Sequence, residues 1–416
     1  MKVGIAGAGI GGLTLALMLQ QRGIEVELWE AVRELRSLGV GINLLPHASK
    51  ELSELGLLPQ LRELAIETAS LAYYNKLGQL IWREPRGLAA GYPWPQFSIH
   101  RGDFQMLLLG RVRDLLGQDS VQCGLRAESF EAHGDRVRVS LRRVGDPSLV
   151  TREVDVLVAA DGIRSQLRQQ LYPERDALQF SGRVLWRGAT ECEPFMDGRS
   201  MFMAGHPDQK FVAYPISEPA RGRGRSLINW IAELRRPGDH ENDWNRKVDK
   251  SLFAGEFASW KWGWIDVPAL IAQTEAVYEF PLVDKDPLPR WSFGRMTLLG
   301  DAAHPLYPVG SNGSAQAILD ARCLADCLAG TRDVPYALRE YEAERLPKTA
   351  GIVLRNRLNG PEQVMQLAEE RAPQGFLAVE DVISREELEN ISLRYKRLAG
   401  FDLQSLSAGT GAGGRA

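Results

Sequence analysis

The chain opens on a short apolar strand, Lys2-Val-Gly-Ile-Ala6, which runs directly into Gly7-Ala-Gly-Ile-Gly-Gly12 and then into a helical run from Leu13 to Arg22. No other stretch narrows the available folds as much. Glycines at 7, 9 and 12 meet three separate demands: a tight turn out of a strand, close approach of backbone to a pyrophosphate, and packing of the next helix on the strand it follows. The start of that helix leaves backbone N–H groups free to meet phosphate. Gly23 ends the helix, and Glu25-Val-Glu-Leu-Trp-Glu30 reads as the second strand of a βαβ unit. Glu30 stands about 20 residues past the glycines, where an acid accepts hydrogen bonds from an unphosphorylated ribose diol. Gly7, Gly9, Gly11, Gly12 and Glu30 are thus expected to bind a dinucleotide.

Composition excludes other partner classes. With 416 residues, 25% of them charged, and a formal net charge of -3, the chain has room for two or three domains and lacks a long-range field that would attract nucleic acid or an anionic membrane. The start imitates a secretion signal, Met1-Lys2 followed by an apolar run, but five of the first 12 residues are glycine, which an apolar signal helix disfavours. No window reaches the roughly 18 uninterrupted apolar residues that a membrane helix needs. Cys123, Cys192, Cys323 and Cys327 show no paired metal spacing. The expectation is a cytoplasmic monomer or homodimer with a small-molecule partner, no metal, no nucleic acid and no stable membrane insertion.

Further along, alternating aromatic-rich runs at Val184-Leu-Trp-Arg187, Phe211-Val-Ala-Tyr214, Leu227-Ile-Asn-Trp-Ile231 and Val277-Tyr-Glu-Phe280 read as a second sheet, mostly antiparallel. The chain then returns to the first domain at Met296-Thr-Leu-Leu-Gly300. The expected fold class is α/β: a Rossmann-like βαβ domain, an inserted mostly antiparallel β-sheet substrate domain, and C-terminal helices. The boundaries read as 1–71, 100–180 and 281–400 for the discontinuous first domain and its helices, and 72–99 with 181–280 for the second. Residues 401–416, poor in apolar anchors, read as a disordered tail.

Two more motifs complete an ordered set: Asp161-Gly-Ile-Arg-Ser165 with Arg168, and Gly300-Asp301-Ala-Ala-His304 running through Pro308, Gly310 and Asn312 into Asp320. With the N-terminal glycines they resemble the class A flavoprotein aromatic hydroxylases, the para-hydroxybenzoate and salicylate hydroxylase superfamily, over roughly residues 1 to 350. That resemblance implies FAD, with Asp301 on the ribityl hydroxyls and Gly310, Asn312 and Gly313 opening a helix toward the flavin pyrimidine. It implies that Arg101, in Ile99-His-Arg-Gly-Asp103, reaches the pyrophosphate or ribityl region. Gly41, in Gly39-Val-Gly-Ile42, is similar to the loop across which the isoalloxazine ring swings, and Asp161 to a residue serving FAD and nicotinamide cofactor together. No second GxGxxG occurs, which argues against reductases built on two dinucleotide domains. The implied chemistry takes electrons from transient NADH or NADPH and oxygen from O₂ through a flavin C4a-hydroperoxide, giving a hydroxylated ring or an epoxide.

Substrate contacts are expected from Trp186, Arg187, Tyr214 and Trp230 on the second sheet and from Pro308 and Val309 beside the flavin. His47, in Leu45-Pro-His-Ala48, is the candidate catalytic acid–base. The runs Trp82-Arg-Glu-Pro-Arg-Gly87, Ala213-Tyr-Pro-Ile216, Asp243-Trp-Asn-Arg246 and Asp286-Pro-Leu-Pro-Arg-Trp291 resemble bacterial phenazine hydroxylases of the pyocyanin type. They imply a phenazine- or quinoline-like substrate in secondary metabolism, with a simple aromatic acid of the salicylate or nicotinate type as the alternative. A flavin halogenase is a further alternative, although in Trp260-Lys-Trp-Gly-Trp-Ile265 Trp264 stands where its motif has Ile. A non-catalytic protein on the same scaffold is the last, and the intact Asp301 argues against it.

Overall fold

The computed structural model describes residues 1–236 and 246–408, so Asp243-Trp-Asn245 and the last eight residues lie outside the described chain. Strand β1 (Lys2–Ala6), helix α1 (Ile10–Gln21) and strand β2 (Glu25–Glu30) form the βαβ unit. The helix starts at Ile10, inside the glycine run, so Gly12 falls in its first turn. β1 and β2 lie within a five-stranded sheet in the order Met296–Leu298, Val156–Ala159, β1, β2, Val121–Cys123. Every pairing in it is parallel. Strands covered on both faces need side chains that are apolar throughout, and Val156, Leu157, Val158 and Ala159 are wholly buried. Strand β3 (Gly41–Leu44) and helix α2 (Pro46–Glu54) follow, with β3 antiparallel to Phe97–His100.

The second sheet has eight strands. Its order is Arg246–Val248, Val277–Asp284, β4 (Gln179–Cys192), β6 (Ser226–Arg235), β5 (Gln209–Pro215), Met201–His206, Ser70–Tyr74 and Leu80–Pro85. Only the pairing of Met201–His206 with Ser70–Tyr74 is parallel. Helices α3 (Gly313–Gly330) and α4 (Val334–Arg357) return to the first sheet, and the shorter helices Gln363–Arg371 and Arg385–Ala399 lay Val364, Met365, Ala368, Leu388 and Ile391 against the second.

Successive residues of a strand point to opposite faces, and this corrects two expectations. Trp186 and Trp230 belong to the core behind the second sheet, with Phe202, Phe211, Phe253, Phe257 and Trp260. Trp186 stacks on Phe253 at 4.9 Å, and Trp230 donates its indole N–H to Thr190 and Thr274 at 3.1 and 2.9 Å. Their neighbours Arg187 and Ile231 face the other way. The tryptophans of 260–265 lie on the Trp186 side too, Trp264 stacking on Tyr74 at 4.5 Å. The tail expectation also shifts: Phe401 is buried and Leu403–Ala408 is helical, while residues 409–416 lie outside the described residues. Among the described residues no helix is long and apolar enough to cross a membrane.

Because Trp230 is wholly buried core, Trp230→Ala is expected to lower the unfolding free energy by about 3–5 kcal/mol, measured by chemical denaturation; a loss below 1 kcal/mol would contradict this assignment.

Candidate active site

A cavity of about 360 Å³ separates the glycine loop from the inner face of the second sheet. The three glycines of the loop differ in their surroundings. Gly7 adopts φ +106°, and a Cβ there would stand 2.3 Å from the Ala160 carbonyl oxygen. A Cβ on Gly12 would stand 2.0 Å from Gly7 O, while one on Gly9 would meet nothing within 4 Å. Gly9 and Gly11 line the cavity; Gly7 and Gly12 build the turn behind it. Glu30 clasps that turn, accepting from Ala8 N at 2.8 Å and Val32 N at 2.9 Å. Its carboxylate is half-buried outside the cavity wall, and its lone pairs beyond those two bonds remain for a ribose.

Asp301 reaches the cavity from a turn gripped on both sides. The wholly buried Asp320 of α3 accepts from Arg345 Nε at 2.8 Å on one oxygen and from Gly300 N at 3.1 Å on the other, which also lies 2.5 Å from His304 Nε2. Burial alone would raise its carboxyl, but His304 and Arg345 outweigh it and hold the group at about 2. From the opposite side Arg168 Nη1 donates to Ala302 O and Ala303 O, both at 3.0 Å. Arg168 thereby ties the Asp161 motif to the Asp301 motif. Asp161 accepts from Gln166 N at 3.1 Å beside the cavity residues Ala160 and Gly162 without itself lining the wall.

The far wall is the inner face of β4, β5 and β6. Gly41 is pinned to it: its N–H donates to Asn229 Oδ1 at 2.7 Å, and its carbonyl accepts from Arg187 Nη2 and Tyr214 Oη, both at 2.9 Å. Burial pushes the Tyr214 phenol up to about 12 and the Arg187 guanidinium down. Pro308 and Val309 form the adjoining edge, and Asn312 and Gly313 bring the N-terminus of the 18-residue α3 to the cavity. Gly310, at φ +70°, lies against Tyr395 rather than the cavity; a Cβ there would stand 2.2 Å from the phenol oxygen.

Three side chains on this wall escaped sequence reasoning. Lys210 Nζ lies 2.8 Å from Glu233 Oε2 and 2.6 Å from Glu362 Oε2, and all three residues are buried and line the cavity. The available signal was the alternation Lys210, Val212, Tyr214 on β5, one strand face; Glu362 follows α4 and no local pattern announces it.

His47 is not brought to the cavity. It is 2% exposed, its ring stacks on Phe401 at 5.2 Å, and Gln316 Nε2 lies 3.5 Å from its Nε2. Burial, reinforced by positive Arg345, pushes the imidazole down to about 3. It is a neutral packing residue between α2, α3 and the C-terminal segment, not a reachable acid–base.

The family model described as FAD binding domain matches residues 1–356. The chain belongs to that family. It is an FAD-dependent monooxygenase, and its relatives are aromatic hydroxylases. Over 359 residues, 85% of its length, it is 47% identical to phenazine 1,6-dicarboxylic acid hydroxylase PhzS of Lysobacter antibioticus, covering 88% of that protein. It is 32% identical over 362 residues to an aurachin C monooxygenase/isomerase of Stigmatella aurantiaca, at 85% and 88% coverage. The solved structure of HpxO from Klebsiella pneumoniae with FAD and uric acid aligns over 97% of both chains, with 25% identity and a TM-score of 0.75. The cleft of this FAD-binding family member suits the cofactor on its own terms. Gly9 leaves the backbone approachable, Arg101 lines the cleft and makes no ion pair among the described residues, Asp301 is exposed to it, and two helix N-termini point into it.

Two outcomes follow. Asp301→Ala is expected to purify with its flavin largely lost, read as the ratio of absorbance near 450 nm to 280 nm, ~10-fold or more below wild type if hydrogen bonds to a charged group are removed; full flavin content would contradict the assignment. For His47, the folded value near 3 lies below the ordinary 6.5, so the unfolded chain binds the extra proton between them. The contribution is full above pH 6.5 and lost as pH falls toward 3. His47→Phe is expected to flatten this slope of unfolding free energy against pH by up to about one proton; an unchanged slope would refute the buried neutral imidazole.

Proposed function

We propose that this enzyme hydroxylates or epoxidises a fused, nitrogen-containing aromatic of the phenazine or quinoline class, taking electrons from NADH or NADPH and one oxygen atom from O₂. The observation that carries the reading is the 47% identity, across nearly the whole of both proteins, to a phenazine dicarboxylic acid hydroxylase. The cavity supports it. Leu185, Val212, Ile231 and Leu282 give a broad apolar wall and Pro308 and Val309 an apolar edge, a slot suited to a flat polycyclic ring.

FAD, when bound, supplies the hydride acceptor and the site at which O₂ is activated. Gly9, Gly11 and Glu30 would hold its adenosine diphosphate half, with Arg101 compensating phosphate charge. Asp301 would accept from the ribityl hydroxyls. The N-terminus of α3, at Asn312 and Gly313, would stabilise negative charge at the ring edge once the cofactor is reduced. Arg187 and Tyr214 orient the loop at Gly41, and Arg187 is the cation available to an acidic substituent on the substrate. The apolar wall keeps water from the reacting ring, which protects the activated oxygen from loss as hydrogen peroxide. His47 stands outside the cavity, and among the described residues its wall carries no histidine. We place the two functional units as the sheets suggest: FAD in the parallel-sheet unit with α3 and α4, substrate on the eight-stranded sheet.

Substrate-stimulated NADH and NADPH oxidation across phenazines, quinolines, salicylates and nicotinates, with product mass, tests the proposal. A phenazine or quinoline is expected to accelerate oxidation and gain one oxygen atom. Coupled turnover of salicylate or nicotinate alone would favour the simple aromatic acid reading, and no gain of oxygen with any of the four classes would sink the proposal.

A further inference from the structure

The charged row on the cavity wall has a position that the register makes definite. Lys210 pairs with Glu233 across β5 and β6, and Glu233 pairs with Leu185 across β6 and β4. The next inward-facing row is Val212, Ile231 and Arg187, and the one after begins with Tyr214. Four residues along a strand span about 13 Å, so Lys210 lies about that far along β5 from Tyr214, whose phenol holds the Gly41 carbonyl. A tricyclic ring held at the Arg187 row by one edge would present its opposite edge to Lys210, Glu233 and Glu362.

The row is not a closed ion pair. One ammonium faces two carboxylates, and all three residues are at most 5% exposed. Glu233 Oε1 is buried and accepts no hydrogen bond among the described residues. Lys210 faces its other oxygen; beside this one stands Arg183, Nε at 3.9 Å, which also meets Asp208 at 3.8 Å, and Asp208 is shared with Arg235 at 3.5 Å. A buried acceptor without a donor is costly, and the cost is relieved by any ligand that brings an N–H or O–H.

We propose that Lys210, Glu233 and Glu362 determine specificity for the substrate edge remote from the flavin, selecting a hydrogen-bond-donating or cationic group there and excluding a carboxylate. This rests on the hydroxylase reading of the cavity. It disfavours a dicarboxylate, because a second carboxylate on the opposite ring would bring further acceptors, and no donor, to the buried Glu233 oxygen that already lacks one.

Calorimetric binding to the FAD-loaded protein, without reductant, tests the inference with three probes: phenazine-1-carboxylate, phenazine-1,6-dicarboxylate and 6-hydroxyphenazine-1-carboxylate. The wild type is expected to bind the hydroxy acid at least about 10-fold more tightly than the dicarboxylate, the scale of a buried charge conflict. Glu233→Gln, nearly isosteric, is expected to bring that ratio to within about 3-fold while leaving the Kd of the monocarboxylate within about 2-fold, as a single relieved contact requires. Glu362→Gln is expected to move the ratio in the same direction and decides the matter if the first variant does not fold. Equal affinity of wild type for hydroxy acid and dicarboxylate, or a uniform weakening of all three probes in both variants, would mean that the row only braces the fold and would overturn the inference alone. Failure of all three probes to bind, while another aromatic class does, would overturn the fused-ring reading and this inference together.

Discussion

The cofactor side of this molecule depends on one buried carboxylate. Asp320 has no exposure to water, a position that an ionised group tolerates only with opposite charge and hydrogen bonds around it. It finds both: the Gly300 N–H, the His304 ring and the Arg345 guanidinium all converge on its two oxygens. Arg345 also donates to Gln316 Oε1 at 2.6 Å, which extends the same network along α3. Arg168, which follows the adjoining strand Val156–Ala159, holds the next two carbonyls of the turn. The position of Asp301 in the cleft is thus set by residues that never enter it.

Much of this was legible in the chain because the chemistry is local. A pyrophosphate loop needs glycines at a fixed spacing between a strand and a helix; Gly7 does turn at positive φ, Gly12 is too crowded for a side chain, and Gly9 has open space beside it. The same holds for the ordered return of the Asp161 and Asp301 motifs to one parallel sheet, since the strands that precede these turns are short and wholly buried. What failed was strand parity. Trp186 and Arg187 are adjacent, so at most one can face the ligand, and the aromatic one attracted attention although aromatics are as welcome in a core as in a pocket. The buried Thr190 and Thr274 hydroxyls that satisfy Trp230 come from elements no local pattern joins to it.

His47 shows the other limit. Its neighbourhood is made by Phe401 and Gln316, both remote in sequence, and their packing turns a titratable ring at a helix start into a neutral filler. The segment carrying Phe401 looked too polar to be anchored, yet one aromatic ring and the Tyr92 phenol, donating to Phe401 O at 2.6 Å, are enough to dock it. Long-range partners decide both cases, and a sequence pattern carries no record of them.

Glu362 invites one more reflection. The segment shared with the FAD-binding family ends at residue 356, six positions earlier, yet Glu362 reaches back to complete the wall on which Lys210 and Glu233 stand. The part that manages the cofactor and a part that touches the far end of the ligand therefore lie in separable stretches of chain. An architecture so divided can change what its far wall accepts through Glu362 alone, while the glycine loop and the Asp301 turn keep their own partners.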